Sequence, residues 1–447
     1  MVERLEAARV LVVGLARSGV AAATLADHDG AEVWVTDQRP AAELGTRLER
    51  LPPGARSFLG DHPAACLEGV DLVVSSPGVA ADAPILTAAR KRDIAVLAEV
   101  EYAWLHAPSR PLVAVTGSNG KSTVTVLIAE MLMASGVAAV PGGNLGAPAS
   151  ELVLTAGWDH WVLEVSSFQA ELLTAMRPTV GVFLNLSQDH LERHPDMASY
   201  LAAKQRLFAF QTAADAAVLN GDDEAVAVTP TPARRFLFSL HRPLDAWLAG
   251  DRLMMGEEEL IPRDRVGLVG IHNVANGLAA ALAAGEAGAD RAAIVRVLES
   301  FQGLEHRHRI VCSSGGVRWV DDSKATNVGA TLAALRGYPE RSVHLILGGL
   351  GKGQDFSILS EEVHRAAAAV YLIGSDAPAI AAALEEAAPV VICGVLEVAV
   401  QRARAAAAAG QWVLLAPACA SFDQFSDYAQ RGDRFAALAR REVASCP

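Results

Sequence analysis

VAVTGSNGKST (113–123) runs from an apolar strand through glycines into Lys-Ser-Thr and then into an apolar helical stretch. A loop placed between strand and helix in this way points backbone N–H groups at phosphate oxygens, and the dipole of the helix start favours the same negative charge. It supplies seven nucleotide-binding candidates, Ser118, Asn119, Gly120, Lys121, Ser122, Thr123 and Val124, with Lys121 suited to the outer phosphates and the Ser122 hydroxyl to Mg²⁺. The loop departs from the GxxxxGK[ST] pattern, because Val115 stands where that pattern has its first glycine. A glycine-rich turn with an incidental lysine is the alternative, but strand, glycines, Lys-Ser-Thr and helix occur in the order phosphate binding needs.

Working outward, the same alternation of apolar runs and helical stretches fills the chain. RVLVVG (9–14), AEVWVTD (31–37), DLVVSS (71–76) and IAVLAEV (94–100) predict a doubly wound parallel sheet ahead of the loop. The polar, proline-bearing HAPSRP (106–111) predicts a linker. HWVLEVSS (160–167), TVGVFLN (179–185) and AAVLN (216–220) continue the loop's own sheet. RRFLFSL (234–240) and LMMGEEELIP (253–262) read as short antiparallel strands, and an Ala-rich helix is expected over 272–286. GVRWVDDS (316–323), VHLILGG (343–349), AVYLIGS (369–375), VVICG (390–394) and WVLLAPA (412–418) predict a second doubly wound unit, with RAAAAV (365–370) and RARAAAAAG (402–410) as Ala-rich helix. The expected organisation is α/β throughout, in three domains of residues 1–105, 106–303 and 304–447.

Composition narrows the function classes. The balance of 38 basic against 51 acidic residues gives a net charge of −13 with no Lys/Arg block, which argues against nucleic acid and anionic membrane as partners. The opening MVERLEAARV lacks the basic start and longer apolar core of a signal peptide, and no apolar run reaches membrane-spanning length. The five cysteines are far apart and not arranged at zinc-ligand spacing, so reduced thiols in a cytoplasmic protein are expected.

Several residues carry two readings when taken alone. Glu164 ends a strand at the edge where the phosphate loop lies, as a Mg²⁺ ligand or a salt-bridge partner. His190 is a loop histidine and Lys204 a helical lysine, each ordinarily structural or solvated. GLARSG (14–19) approximates the dinucleotide pattern GxGxxG, with Asp37 ending the next strand, but Ala16 puts a methyl where a pyrophosphate needs close backbone approach. An NAD-dependent dehydrogenase would leave SNGKST and DDSKATN without a role.

The shortened phosphate loop resembles that of the Mur ligase and folylpolyglutamate synthase superfamily. SNGKST (118–123), GGNLG (142–146), LEVSSFQ (163–169), QDHLERH (188–194), HNVAN (272–276), DDSKATN (321–327) and APACASFDQF (416–425) extend the resemblance over nearly the whole chain. DDSKATN favours the branch that adds D-glutamate. The resemblance implies a Rossmann-like N-terminal domain holding UDP, a central P-loop ATPase-type domain, and a Rossmann-like C-terminal domain that closes over the nucleotide. It implies a monomeric, ATP-dependent ligase that phosphorylates the carboxylate of UDP-N-acetylmuramoyl-L-alanine and passes the acyl group to the D-glutamate amine. Folate-type and other amino-acid ligases of the superfamily, and a non-catalytic binder of UDP-sugar, are the alternatives.

By the same resemblance Ser122, Glu164, His190 and a carbamylated Lys204 serve two Mg²⁺ sites, and Lys121, Glu164, His190 and Lys204 are catalytic. Asn276 lies near adenine, Arg307 near the phosphates and Asp322 near the ribose, with Lys324 of the same segment also binding ATP. Ser18 and Ser76 approach the diphosphate of the UDP-substrate, Asp37 and Arg39 its uracil, and Asn144 its muramoyl part. Thr326, Lys352, Ser421, Phe422 and Tyr428 face D-glutamate. The chain departs from the family pattern at Leu350, where an acidic residue is expected, at Gln38 beside Arg39, and in a His190 to Lys204 spacing one residue shorter.

Overall fold

A computed structural model of the chain describes residues 8–190 and 193–441; the charged start MVERLEA, Leu191 and Glu192 of QDHLERH, and Cys446 lie outside the described residues. Three sheets carry the fold and fall into two compact units. The first unit, up to residue 186 with 190–261 and 276–297, contains two sheets, and the second, 187–189 with 262–275 and 298 onward, contains the third.

The first sheet comprises β1 (Arg9–Val13), β2 (Glu32–Asp37), β3 (Arg56–Leu59), β4 (Leu72–Ser75) and β5 (Ala95–Ala98), all parallel in the order β3-β2-β1-β4-β5. The order reverses between β1 and β4, where a doubly wound sheet opens its ligand crevice. The second comprises β6 (Leu112–Thr116), β7 (Ala139–Gly143), β8 (His160–Glu164), β9 (Val180–Phe183), β10 (Ala216–Asn220), β11 (Arg234–Ser239), β12 (Ala246–Ala249), β13 (Arg252–Met255) and β14 (Glu258–Pro262), ordered β14-β13-β12-β11-β10-β9-β6-β8-β7. β6, which feeds the phosphate loop, is flanked by β8 and β9, both parallel to it, so the loop, Glu164 and the segment after β9 share one edge.

The third sheet has β15 (Arg309–Ser314), β16 (Val317–Asp321), β17 (Val343–Gly348), β18 (Ala367–Ile373), β19 (Val390–Gly394) and β20 (Trp412–Leu415) in the order β15-β16-β20-β17-β18-β19. Its central strands β16, β20, β17 and β18 are largely buried on both faces, and alternate residues enter opposite cores. Val320, Leu345, Leu347 and Leu414 pack on one side, while Trp319, Ile346, Val413 and Leu415 pack on the other.

Two sequence expectations are corrected. β11 is parallel to both β10 and β12, and the antiparallel pairing begins only at β12 with β13. RAAAAV is not a helix throughout, because β18 starts at Ala367 and pairs with β17, so register with a buried neighbour overrides the helix preference of alanine. Among the described residues no helix is long and apolar enough to cross a membrane, and Cys66, Cys312, Cys393 and Cys419 are free thiols.

The helix Glu99–Trp104 is buried along its whole length and brings two carboxylates into the first unit's core. Glu101 accepts from the Thr174, Ala175 and Met176 N–H groups and the Thr174 hydroxyl. Glu99 accepts from Ser150 N–H at 2.7 Å with Oε1, while Oε2 has no hydrogen-bond partner among the described residues. Burial, only partly offset by Ser150, pushes the Glu99 carboxyl up to about 7 from 4.5. Since the folded pKa is raised, the folded state binds the extra proton and stability falls as pH rises from 4.5 to 7, by an amount on the order of 3 kcal/mol. Glu99→Gln should therefore match the wild type near pH 4 and exceed it at pH 8 in urea unfolding. An unchanged pH slope in the variant would show that Glu99 is already ionised in the fold.

Candidate active site

The phosphate loop is braced from below. Ser118 N–H donates to the Asn185 carbonyl at 2.9 Å, Asn119 N–H to Asn185 Oδ1 at 2.8 Å, and Asn185 Nδ2 returns a bond to the Asn119 carbonyl at 3.0 Å. Gly120, at φ 86°, caps the helix Lys121–Ala134, and a Cβ there would lie 2.4 Å from Asn276 Oδ1, so the Asn276 amide sits directly against the loop. Only glycine permits both the left-handed turn and this approach. The Val124 N–H bonds the Gly120 carbonyl and its side chain enters the core, while Thr123 is a buried polar residue beside it.

Two ammonium groups converge on one carbonyl. Lys121 Nζ donates to Gly117 and Ser118 oxygens at 2.8 Å each, and Lys204 Nζ donates to the same Gly117 oxygen at 2.8 Å. Lys204 is 1% exposed and lies 4.5 Å from the Tyr200 ring centroid, so the solvated-helix reading of this lysine does not hold. The Tyr200 hydroxyl is 3.2 Å from Ser118 Oγ. Such a concentration of positive charge at a glycine-rich strand-to-helix loop suits a polyphosphate.

Opposite the lysines, Glu164 at the end of β8 is buried and engaged at both oxygens: Ser122 Oγ donates to Oε2, and Asn144 Nδ2 to Oε1 at 2.7 Å. A hydroxyl and a carboxylate in contact are the hard oxygen donors Mg²⁺ takes, and that ion needs only one or two protein oxygens because it keeps several waters. No group of three or more His, Cys, Asp or Glu residues among the described residues could hold a metal by itself. His190, at φ 55°, has its ring 4.8 Å from that of Phe168 and 6.3 Å from that of Tyr200, the residue whose hydroxyl lies near Ser118.

At the crevice of the first sheet, Asp37 and Arg39 form a two-pronged pair, Nε to Oδ1 at 3.0 Å and Nη2 to Oδ2 at 2.8 Å, and Leu15 N–H adds a bond of 2.7 Å to Asp37. Burial alone would raise the Asp37 carboxyl; the Arg39 and Leu15 bonds outweigh it and hold it at about 2. Ser76 Oγ donates to the Gly14 carbonyl at 2.6 Å, and Ser18 lies in the first turn of the helix Arg17–His28. A Cβ at Gly19 would fall 1.9 Å from the Gly14 oxygen, which explains a glycine there without a dinucleotide.

In the second unit, three loops leave the carboxyl ends of β16, β17 and β20. Arg431, fully buried, ties them: Nε bonds Ser323 Oγ, Nη2 bonds the Ser323 and Cys419 carbonyls at 2.9 and 3.1 Å, and Nη1 reaches the Gly348 carbonyl. Lys324 lies 4.2 Å from the Tyr428 ring centroid, Ser421 is buried, and Lys352 and Phe422 are exposed on their loops. Thr326 N–H bonds the Lys324 carbonyl. Leu350 pairs with Ala420 through the backbone, which leaves its side chain exposed and its identity unconstrained by the turn. Arg307 stands between two left-handed residues, His306 and His308, and the hydrogen bond from His306 Nδ1 to Asp321 at 2.7 Å raises the His306 pKa. Sequence reasoning passed over Asn185, Tyr200 and Arg431, which act through backbone carbonyls and loop hydroxyls rather than through motif chemistry.

Replacing Arg431 by Met should leave the Ser323 and Cys419 carbonyls buried and unpaired, at about 3 kcal/mol of stability. Urea unfolding checks this; a loss below about 1 kcal/mol would mean that the loops hold one another without the guanidinium.

Comparison with known proteins adds the chemistry of relatives to this geometry. Residues 8–98 match the family model of the Mur ligase MurD-like N-terminal domain, 115–284 the Mur ligase middle domain and 306–419 the Mur ligase glutamate ligase domain. The chain is 42% identical to the UDP-N-acetylmuramoylalanine--D-glutamate ligase of Anaeromyxobacter dehalogenans, over 98% of this chain and 99% of that protein. It is 41% identical to the enzyme of the same name from Acidobacterium capsulatum, over 99% and 98%. Among solved structures, a pseudomurein peptide ligase type C from Methanothermus fervidus aligns at TM-score 0.60 and 18% identity over 96% of this chain and 99% of that one. The MurF ligase of Thermotoga maritima in complex with ADP aligns at 0.60 and 16% over 98% and 96%, and both share the fold.

Proposed function

The chain belongs to the Mur ligase family, and we propose on that footing that it joins D-glutamate to UDP-N-acetylmuramoyl-L-alanine at the expense of ATP in peptidoglycan precursor synthesis. The observation that carries this reading is the arrangement around the phosphate loop, with Lys121 and Lys204 on the Gly117 carbonyl and Ser122 and Asn144 on the Glu164 carboxylate.

A carboxylate is a poor acyl donor, because its leaving group would be oxide. Attack of the alanine carboxylate oxygen on the γ-phosphorus releases ADP and gives an acyl phosphate. The D-glutamate amine then adds to the acyl carbon, loses a proton, and expels phosphate as the C–N bond forms. Most of the catalysis is placement and charge neutralisation. Lys121 and the loop N–H groups hold the outer phosphates, and Asn144 orients the Glu164 carboxylate. Mg²⁺, when bound through Ser122 and Glu164, neutralises charge on the phosphates. His190 and Lys204 belong by the same reading to a second metal site. A carbamate on Lys204, formed when the amine adds CO₂ and loses a proton, replaces one of two adjacent positive charges with a negative one.

The crevice of the first sheet takes the UDP part, with Ser18 and Ser76 toward the diphosphate and Asp37 with Arg39 toward the uracil. Asn276 takes the adenine side, Arg307 the phosphates and Asp322 the ribose, with Lys324 also binding ATP, while Thr326, Lys352, Ser421, Phe422 and Tyr428 receive D-glutamate. All these groups come from one chain, so the reading is of a monomer, acting in the cytoplasm where ATP and UDP-linked precursors are available. UDP-N-acetylmuramoyl-L-alanine labelled with ¹⁸O in the alanine carboxylate should pass one label to inorganic phosphate. Retention of all label in substrate and product would rule out the acyl phosphate.

A further inference from the structure

His308 is 5% exposed and adopts φ 52°, a left-handed conformation that a non-glycine residue keeps only where its surroundings hold it. Its Nδ1 lies 3.3 Å from Asp322 Oδ2, and its Nε2 lies 3.1 Å from the Tyr338 hydroxyl. The His272 ring packs edge-on against it at 4.8 Å. A carboxylate can only accept, and burial keeps the Tyr338 phenol protonated. With a neutral imidazole the protons have one arrangement: Tyr338 O–H donates to Nε2, and Nδ1–H donates to Asp322. Tyr338 and His308 are buried, whereas the Asp322 side chain is 13% exposed, so the series ends on the member that reaches the surface.

The geometry points to His308 as a positioning residue that, backed by Tyr338, fixes the Asp322 carboxylate in one orientation for the ribose hydroxyls of the nucleotide. This rests on the assignment of Asp322 to the ribose made above. A carboxylate free to rotate would accept the same hydroxyl with less directional preference, so the loss of His308 should show in sugar discrimination before it shows in turnover.

The test compares kcat/KM for ATP with those for 2′-deoxy-ATP and 3′-deoxy-ATP in four proteins: wild type, Asp322→Ala, His308→Phe and His308→Asn. The wild type should prefer ATP over at least one analogue by roughly tenfold or more, the worth of a hydrogen bond to a charged group. Asp322→Ala should abolish the preference. His308→Phe, which keeps a ring but no N–H, should bring the ratio within about threefold of unity by raising KM for ATP, with kcat and the analogue's KM unchanged. His308→Asn, whose amide restores a donor near Nδ1 and which tolerates positive φ, should recover most of the preference. If Asp322→Ala still prefers ATP, or the wild type never does, the ribose assignment fails and the inference with it. If Asp322→Ala loses the preference and His308→Phe keeps it, only the role of His308 is overturned. Should His308→Phe not fold, Tyr338→Phe replaces it; a severalfold loss of preference supports the relay, and full retention overturns it.

Discussion

Lys121→Ala is expected to lower ATP-dependent turnover by roughly a thousandfold, the scale set by removing one preorganised charge from a developing anionic transition state. The side chain rests on the carbonyls of Gly117 and Ser118, which holds its ammonium at the loop proposed for the outer phosphates. Alanine removes that charge and leaves the Asn185 brace intact. The groups proposed for the UDP part, Asp37, Arg39, Ser18 and Ser76, lie on or next to elements of the first sheet and its helix, not on the sheet that feeds the phosphate loop. Calorimetric binding of the UDP-linked precursor should therefore be unchanged while phosphate release collapses. Turnover near that of the wild type would remove the phosphate-loop assignment; equal loss of both would mean that the substitution disturbs the fold.

Lys204→Ala is expected to be nearly inactive, by roughly a hundredfold or more, and to regain part of its rate in formate or acetate. The lysine is buried beneath Tyr200 and shares the Gly117 carbonyl with Lys121. If the working form is the carbamate, the missing group is a carboxylate, and a small one from solution can occupy the space that the shortened side chain leaves. Rescue by carboxylates and not by methylammonium identifies a negative group. The reverse pattern identifies the ammonium, and no loss of rate at all would leave Lys204 a packing residue.

Sequence reasoning passed over β3, β7 and β15, each at the edge of its sheet, and the short interior strand β12. An edge strand is not buried on both sides, so it lacks the continuous apolar run that marked β1, β6 and β17. β7 even carries Pro141, which only an edge tolerates. β15 is tied to β16 by Gly315 and Gly316, both at positive φ, which make the two-residue turn between them. Within the site, Lys121, Ser122 and Glu164 were legible because their motif and strand-end position carry chemistry. Lys204 was not legible from its helix alone, since only the packing of Tyr200 and the return of the chain to Gly117 bury it. Asn144 was read as a substrate contact, and its bond to Glu164 depends on β7 and β8 pairing side by side. The dehydrogenase reading of GLARSG gave way to the same kind of fact, because Gly19 is required by the Gly14 carbonyl.

The most direct measurement is phosphate release from ATP and Mg²⁺ with UDP-N-acetylmuramoyl-L-alanine, run in parallel with D-glutamate, L-glutamate and no amino acid. Release that requires D-glutamate and yields one phosphate per amide formed is the predicted result. Equal release with L-glutamate, or none in any of the three, would contradict the proposed reaction.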